Sequence, residues 1–237
     1  MSVNDARSNY TALQLQYRRP LTRRVQALAS YTYSHSLDNA SDDVVTAIPN
    51  VILSGQNDYS SSSFDVRHNL SAALSISFPS LGKTTWLSAV TRDWSLESVI
   101  AVRTGFPFNG VVFSYAPGGY AFSRPDLVAN QPFWIGDPSA PGGKSLNPNA
   151  FALPDTVRQG TEGRNDIPGF GLTQVDLSLG RDFPIGERVK FQFRADTFNV
   201  LNHPNFTNPS ALIEFGPAYL SSLSTLNNGL GLSLIHI

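Results

Sequence analysis

Gly142-Gly143-Lys144-Ser145 and Ser80-Leu81-Gly82-Lys83 are the stretches of this 237-residue chain that come nearest to catalytic signatures. The first has the ending of a phosphate-cradling loop, in which backbone N–H groups and a lysine hold a polyphosphate. Its required leading glycine is Pro138, no strand pattern runs into it, and no helical pattern follows. The second has the S-x-x-K spacing of a serine acyltransferase, but it reads as a turn and its partner motifs are missing. No G-x-S-x-G elbow occurs, and a chain with Cys 0 has neither a thiol nucleophile nor a cysteine-ligated zinc. His35, His68, His203 and His236 lack metal-ligand spacing. Asp38, Asp42 and Asp43 gather in one loop as oxygen donors for a hard cation, without the glycine-anchored spacing of a calcium loop. The expectation is a protein that is not an enzyme and holds no cofactor.

A second polar set is brought together only if the chain is extended. Gln14 and Gln16 are two residues apart, Glu97 and Arg103 six apart, and Lys190, Arg194 and Asp196 again an even number apart, with Asp176 in a segment of the same kind. Even spacing puts residues on one face of a strand. Period-2 alternation is the dominant signal, running through residues 9–18, 25–34, 68–78, 93–104, 172–180 and 188–199. In the fourth segment Trp94, Leu96, Ser98, Ile100 and Val102 stand opposite Ser95, Glu97, Val99, Ala101 and Arg103. Each segment is close to the roughly 9–11 residues of a tilted membrane strand.

Composition narrows the class. Charged residues are 15% of the chain, against roughly 25% in soluble domains, while hydrophobics reach 41%. The net charge of -1 offers no electrostatic footprint for nucleic acid. Aromatics at 11% argue against disorder. No run approaches the roughly 18 apolar residues of a membrane helix.

The connections alternate in length. Residues 19–24 and 181–187 are short turns, and 79–92 is an intermediate link in which Trp86–Val90 reads as a brief helix or interfacial strand. Residues 35–67, 105–171 and the segment from 201 onward are long. One rim of tight turns and one of large loops fits a membrane barrel. A soluble sandwich also alternates, but long loops confined to one side are uncommon there. Tyr31, Tyr33, Phe78 and Trp94 stand near strand ends, where an interfacial girdle would lie. The expected fold is all-β, an antiparallel up-and-down meander of about six strands forming a partial transmembrane β-barrel, with long loops on one rim. Gln14, Gln16, Glu97, Arg103, Asp176, Lys190, Arg194 and Asp196 are its candidate lumen-facing residues.

Ser8-Asn9-Tyr10-Thr11-Ala12-Leu13-Gln14 and Ala29-Ser30-Tyr31-Thr32-Tyr33-Ser34-His35-Ser36-Leu37-Asp38 resemble the late barrel of TonB-dependent outer-membrane receptors. The resemblance is to the Oar-like type, which carries a carboxypeptidase-regulatory-like domain ahead of the plug. Phe64-Asp65-Val66-Arg67-His68, Thr104-Gly105-Phe106-Pro107-Phe108, Arg124-Pro125-Asp126-Leu127-Val128 and Leu146-Asn147-Pro148-Asn149-Ala150-Phe151 support it. The nearest match is Phe198-Asn199-Val200-Leu201-Asn202-His203-Pro204-Asn205-Phe206, following Arg194-Ala195-Asp196. In it, Pro204 is expected to end the last strand, since proline cannot donate to a ladder.

The resemblance implies a 22-stranded barrel with a plugged lumen, of which residues 1–237 would be a partial C-terminal piece. No export signal, plug or energy-coupling box is read in them, and the usual terminal aromatic is missing, so residues 232–237 read as a foreign tail. The implied protein sits in the outer membrane of a Gram-negative-type bacterium and imports a nutrient. Its implied partners are outer-membrane lipid, the rest of the barrel and plug, the TonB energy-coupling complex and an unknown nutrient ligand, with no nucleic acid. Tyr59, Phe113, Tyr115, Tyr120 and Trp134, in the long loops, are the candidate ligand contacts. A non-transporting structural or adhesive outer-membrane protein, or a secreted carbohydrate-binding β domain, are the alternatives.

Overall fold

The computed structural model describes residues 6–22, 24–39, 41, 59–79, 91–116, 119–156, 158–185, 189–209 and 212–213. Alternating segments become six long strands: β1 (Ser8–Thr22), β2 (Val25–Asp38), β3 (His68–Ser77), β4 (Trp94–Arg103), β5 (Leu172–Ile185) and β6 (Val189–Thr197). They pair antiparallel in chain order, an up-and-down meander whose edges are β1 and β6, and the sheet does not close. The short connections leave from one rim. Residues 39–67, 104–171 and the chain beyond β6 leave from the other. Asp42, Asp43, Ser80, Lys83, Trp86–Val90, His236 and residues 232–237 lie outside the described residues.

Three strand ends differ from the sequence reading. β1 continues through Pro20 to Thr22, so the turn into β2 is only two residues. Proline is tolerated because β1 is an edge strand, and the register shifts between Arg19 and Thr22 as at a bulge. β5 runs on to Ile185, because residues 181–185 pair with the start of β6. β2 extends to Asp38, which is therefore a strand residue and not a loop carboxylate.

β6 stops at Thr197 for a reason other than Pro204. Asn199 and Asn202 both take positive φ, of 48°, a conformation asparagine tolerates. The Asn199 side chain closes the turn, donating to His203 O at 3.0 Å and accepting from His203 N at 3.2 Å. Asn205 then takes over the edge that β6 has left: its Oδ1 accepts from Thr173 N at 2.8 Å and its Nδ2 donates to Thr173 O at 3.1 Å. One asparagine side chain thus satisfies both backbone groups of Thr173, a substitute for a missing strand.

Register sorts the side chains of this wall onto two faces. On one face Leu13, Tyr33 and His68 share a row, as do Leu15, Tyr31, Leu70, Val102 and Thr173. Further down come Ala72, Ile100 and Val175, then Ile76, Leu96, Leu179 and Ala195. Trp94, Arg181 and Phe193 form the next row, beside Phe78, whose N–H donates to Trp94 O at 2.9 Å. Within β2–β5 no charged side chain stands on this face between the His68 and Trp94 rows. Arg19 of the edge strand shares the face, on a stem long enough to carry its guanidinium toward the rim. From His68 to Phe78 is ten residues, which at about 3.3 Å each and a tilt of about 40° gives a band near 25 Å tall, the apolar height of an outer-membrane wall.

Both borders of that band are aromatic. At the loop rim Tyr31 Oη is 2.7 Å from His68 Nδ1, and the Tyr33 and His68 rings are 5.2 Å apart. At the turn rim Phe183 and Phe191 rings lie 5.9 Å apart, and the Arg181 guanidinium sits 4.3 Å over Phe183 and 5.2 Å over Trp94. Leu13, Leu15, Tyr17, Phe191 and Phe193 are all exposed. A sheet so apolar and so open is stable only against lipid or further protein.

The buried core lies elsewhere. Residues 105–171, read from sequence as a loop, fold into a lobe of two- to six-residue strands and two 3-10 turns. Phe108, Val112, Leu146, Ala150, Phe151, Ile167 and Ile213 form its core, with Leu127, Phe133 and Trp134 packed against them. Gly142 and Gly143 belong to the turn Pro141–Gly143, which feeds the strand Lys144–Leu146 and not a helix. The phosphate-loop geometry is therefore absent there.

Candidate functional site

All eight candidate lumen residues share the second face of the wall. Gln14 pairs with Thr32 and Gln16 with Ser30, which places both on the face of Asn69 and Ser71. The register continues to Arg103 beside Asn69, Glu97 between Ser75 and Ser178, Asp176 beside Val99, and Asp196 beside Ser178. Arg194 lies beside Gly180 and Lys190 beside Pro184. Arg194 joins two strands: its Nε donates to Asp196 Oδ1 at 2.9 Å, and its Nη2 is 3.6 Å from Glu97 Oε2. These groups are exposed, so the pairs orient side chains more than they stabilise the sheet. Asp176 Oδ1 accepts from the Asn199 N–H at 2.8 Å and holds the end of β6.

Where the lobe meets the loop rim the chain encloses a cleft of about 620 Å³, bordered by Asp65, Arg67, His68, Arg103 and Asp166. Close backbone approach shapes its floor: a Cβ on Gly105 would stand 2.4 Å from the Gly169 carbonyl carbon. Asp65 is buried and satisfied, accepting from Arg67 Nε at 2.8 Å and Ser36 N at 2.7 Å, with His35 Nδ1 at 3.3 Å. Arg103 rests on the Phe106 ring, its Cζ 4.2 Å from the centroid.

Two buried ionisable groups fix the lobe. Arg164 Nη2 forms an ion pair with the Asp38 carboxylate and donates to Asp38 O at 2.8 Å and Ser41 Oγ at 3.3 Å. Beside it Asn165 Nδ2 donates to Ser61 O at 2.7 Å. The lobe is thereby fastened to the end of β2 and to the preceding loop. Glu162 is buried among Gly110, Ile213 and Pro125, where its Oε1 accepts from Gly110 N at 2.8 Å. Burial pushes its carboxyl up to about 8, against smaller downward pulls from the Gly110 N–H and the Arg124 charge. Sequence spacing gave no sign of either group, since the Arg164–Asp38 pair spans 126 residues.

Of the loop aromatics, Tyr59 is exposed. Phe113 and Tyr115 stand on the strand Val111–Ala116, and Tyr120 pairs with Tyr115 across the hairpin. Trp134 is half-buried in the lobe, its Nε1 donating to Pro168 O at 2.9 Å, 5.1 Å from the Phe170 ring. Lys144 Nζ lies 4.3 Å from the Trp134 ring and 4.7 Å from that of Phe170, and burial lowers its pKa. Asp126 is held by both Arg158 Nη atoms, at 2.7 and 2.8 Å, and its carboxyl lies below the usual range chiefly for that reason. The structure thus gathers the eight wall residues on one face, while of the five loop aromatics Phe113, Tyr115 and Tyr120 belong to one hairpin and Tyr59 and Trp134 to other segments. Among the described residues no three His, Asp or Glu side chains converge as a metal site.

A family described as an outer membrane beta barrel domain matches residues 1–226. No curated protein and no solved structure matches the chain.

Proposed function

Because the chain belongs to the outer membrane beta barrel domain family, we propose that it is a wall segment of a TonB-dependent receptor, one that imports a nutrient when the inner-membrane complex pulls on the plug. Membership places the chain in the outer membrane, which sets aside the secreted alternative. The observation that carries the proposal is the wall itself, a six-stranded meander open at both edges, apolar on one face and charged on the other. The described residues hold six long strands of this wall, fewer than the eight of the smallest bacterial barrels, so β1 and β6 pair with further strands of the same barrel. The apolar face contacts lipid, and the face bearing Gln14, Gln16, Glu97, Arg103, Asp176, Lys190, Arg194 and Asp196 lines the lumen and meets the plug. The loop rim, with Tyr59, Phe113, Tyr115, Tyr120 and Trp134, meets the nutrient, and no bond is made or broken there. The resemblance of residues 191–206 to such receptors supports energised transport.

Uptake in the native cell is the test. Nutrient-limited growth that needs both this gene and an energised TonB complex supports the proposal. Growth that needs the gene and not the complex points to a passive pore. Unchanged uptake on deletion points to a structural or adhesive wall.

A pair of lysines tests the assignment of faces. Ile100 stands mid-band beside Ala72 and Val175, so Ile100→Lys costs folding into lipid about 2–4 kcal/mol. Ala101→Lys, one residue on and facing Ser71 and Gln174, costs about 0.5 kcal/mol or less, as a substitution on a wet polar face does. Urea titration of vesicle-bound protein reads both, and equal losses would refute the assignment.

A further inference from the structure

We propose that the cleft between the loop lobe and the wall binds an oxyanion, a carboxylate or phosphate group carried by a solute, with Arg103 as its principal donor. This rests on the reading of the loop rim as the ligand-facing side. The charges around the cleft are not equivalent. Asp65 is already satisfied by Arg67, His35 and the Ser36 N–H, so that carboxylate and the Arg67 charge are spent on each other. Asp166 is exposed and accepts from Gly163 N at 2.9 Å, so water screens it.

Arg103 has no such answer. Its one contact of this kind is the Phe106 ring, and its Nη1 is shut from water with no hydrogen-bond partner among the described residues. In native proteins a desolvated, unbonded guanidinium nitrogen is completed by an ordered water or by an ion. The planar fork of arginine matches two oxygens of a carboxylate or phosphate. Phe106 holds that fork from behind, so little side-chain freedom is lost on binding. Thr104 adds a hydroxyl that accepts from His68 N at 3.2 Å and retains its own proton to donate.

The test is calorimetric titration of the full chain in detergent micelles with inorganic phosphate and, separately, citrate. Binding of either supports the site, and the stronger probe identifies the oxyanion. Arg103→Met weakens that probe about tenfold or more. Phe106→Leu keeps the charge, loses its seat and weakens binding severalfold. Arg92→Gln, at the opposite rim beside Asp93, leaves affinity unchanged. No binding of either probe by the wild type overturns the proposal. So does wild-type affinity in both cleft variants, or an equal loss in Arg92→Gln. Sheet formation in lipid is measured on the same preparation: a folded wall without binding refutes the cleft alone, whereas a chain that stays soluble and folded without lipid refutes the receptor reading.

Discussion

Between pH 5 and pH 9 the loop lobe of the wild-type chain loses several kcal/mol of stability, while Glu162→Gln holds nearly constant. Glu162 is buried, and its carboxyl stands at about 8 against an ordinary 4.5, mainly because the ion would lose its water. A carboxyl whose folded pKa is raised binds its proton more tightly folded than unfolded. Stability is therefore full below pH 4.5 and declines as pH rises toward 8. Each tenfold of proton affinity is worth about 1.4 kcal/mol, so the loss above pH 8 is roughly 4–5 kcal/mol. Arg124 draws the pKa down and Asp166 pushes it up, both by less than burial does. Glutamine keeps the acceptor for the Gly110 N–H. It places an amide where the second carboxyl oxygen has no partner, costing about 1–3 kcal/mol at every pH. Urea midpoints of the lobe, followed by Trp134 fluorescence across this range, give two curves that cross. Parallel curves would show that Glu162 does not govern the decline.

The second large effect is at Arg164. Arg164→Met leaves the Asp38 carboxylate buried at the end of β2 without its counter-charge, and about 3–5 kcal/mol is lost. Adding Asp38→Asn removes the stranded charge, so the double variant is more stable than the sum of the single losses predicts. The loss is felt where lobe and wall are fastened. Proteolysis in residues 39–67 accelerates in Arg164→Met and slows again in the double variant. Additive single losses would mean that the two side chains act independently.

The wall was legible because its chemistry repeats every second residue. Leu70, Ala72, Leu74 and Ile76 against Asn69, Ser71, Ala73 and Ser75 define a strand and both its environments, and one such strand fixes the parity of its neighbours through the ladder. Strand ends were less legible. Pro20 and Pro184 carry turn chemistry that an edge strand and a strand end override. The lobe was hidden for a different reason: strands of two to six residues are too short to show a period, and residues far apart in sequence hold them. Glu162, a lone acid between Thr161 and Gly163, gives no hint that its side chain is inside. In the motif through Phe206 the strand-breaking chemistry of Pro204 is plain in the sequence, whereas Asn199 and Asn205, whose side chains end β6 and finish the edge of β5, act through contacts that only the fold supplies.

In walls of this family the long loops lie on the far side of the bilayer from which the chain is delivered. Every residue of the lobe is therefore carried across the bilayer. The wall needs lipid or further protein to be stable, whereas the lobe carries a buried core of its own, which Ile213 from beyond β6 completes. The Arg164–Asp38 pair requires both, and through it the state of the membrane wall is felt by the loops outside.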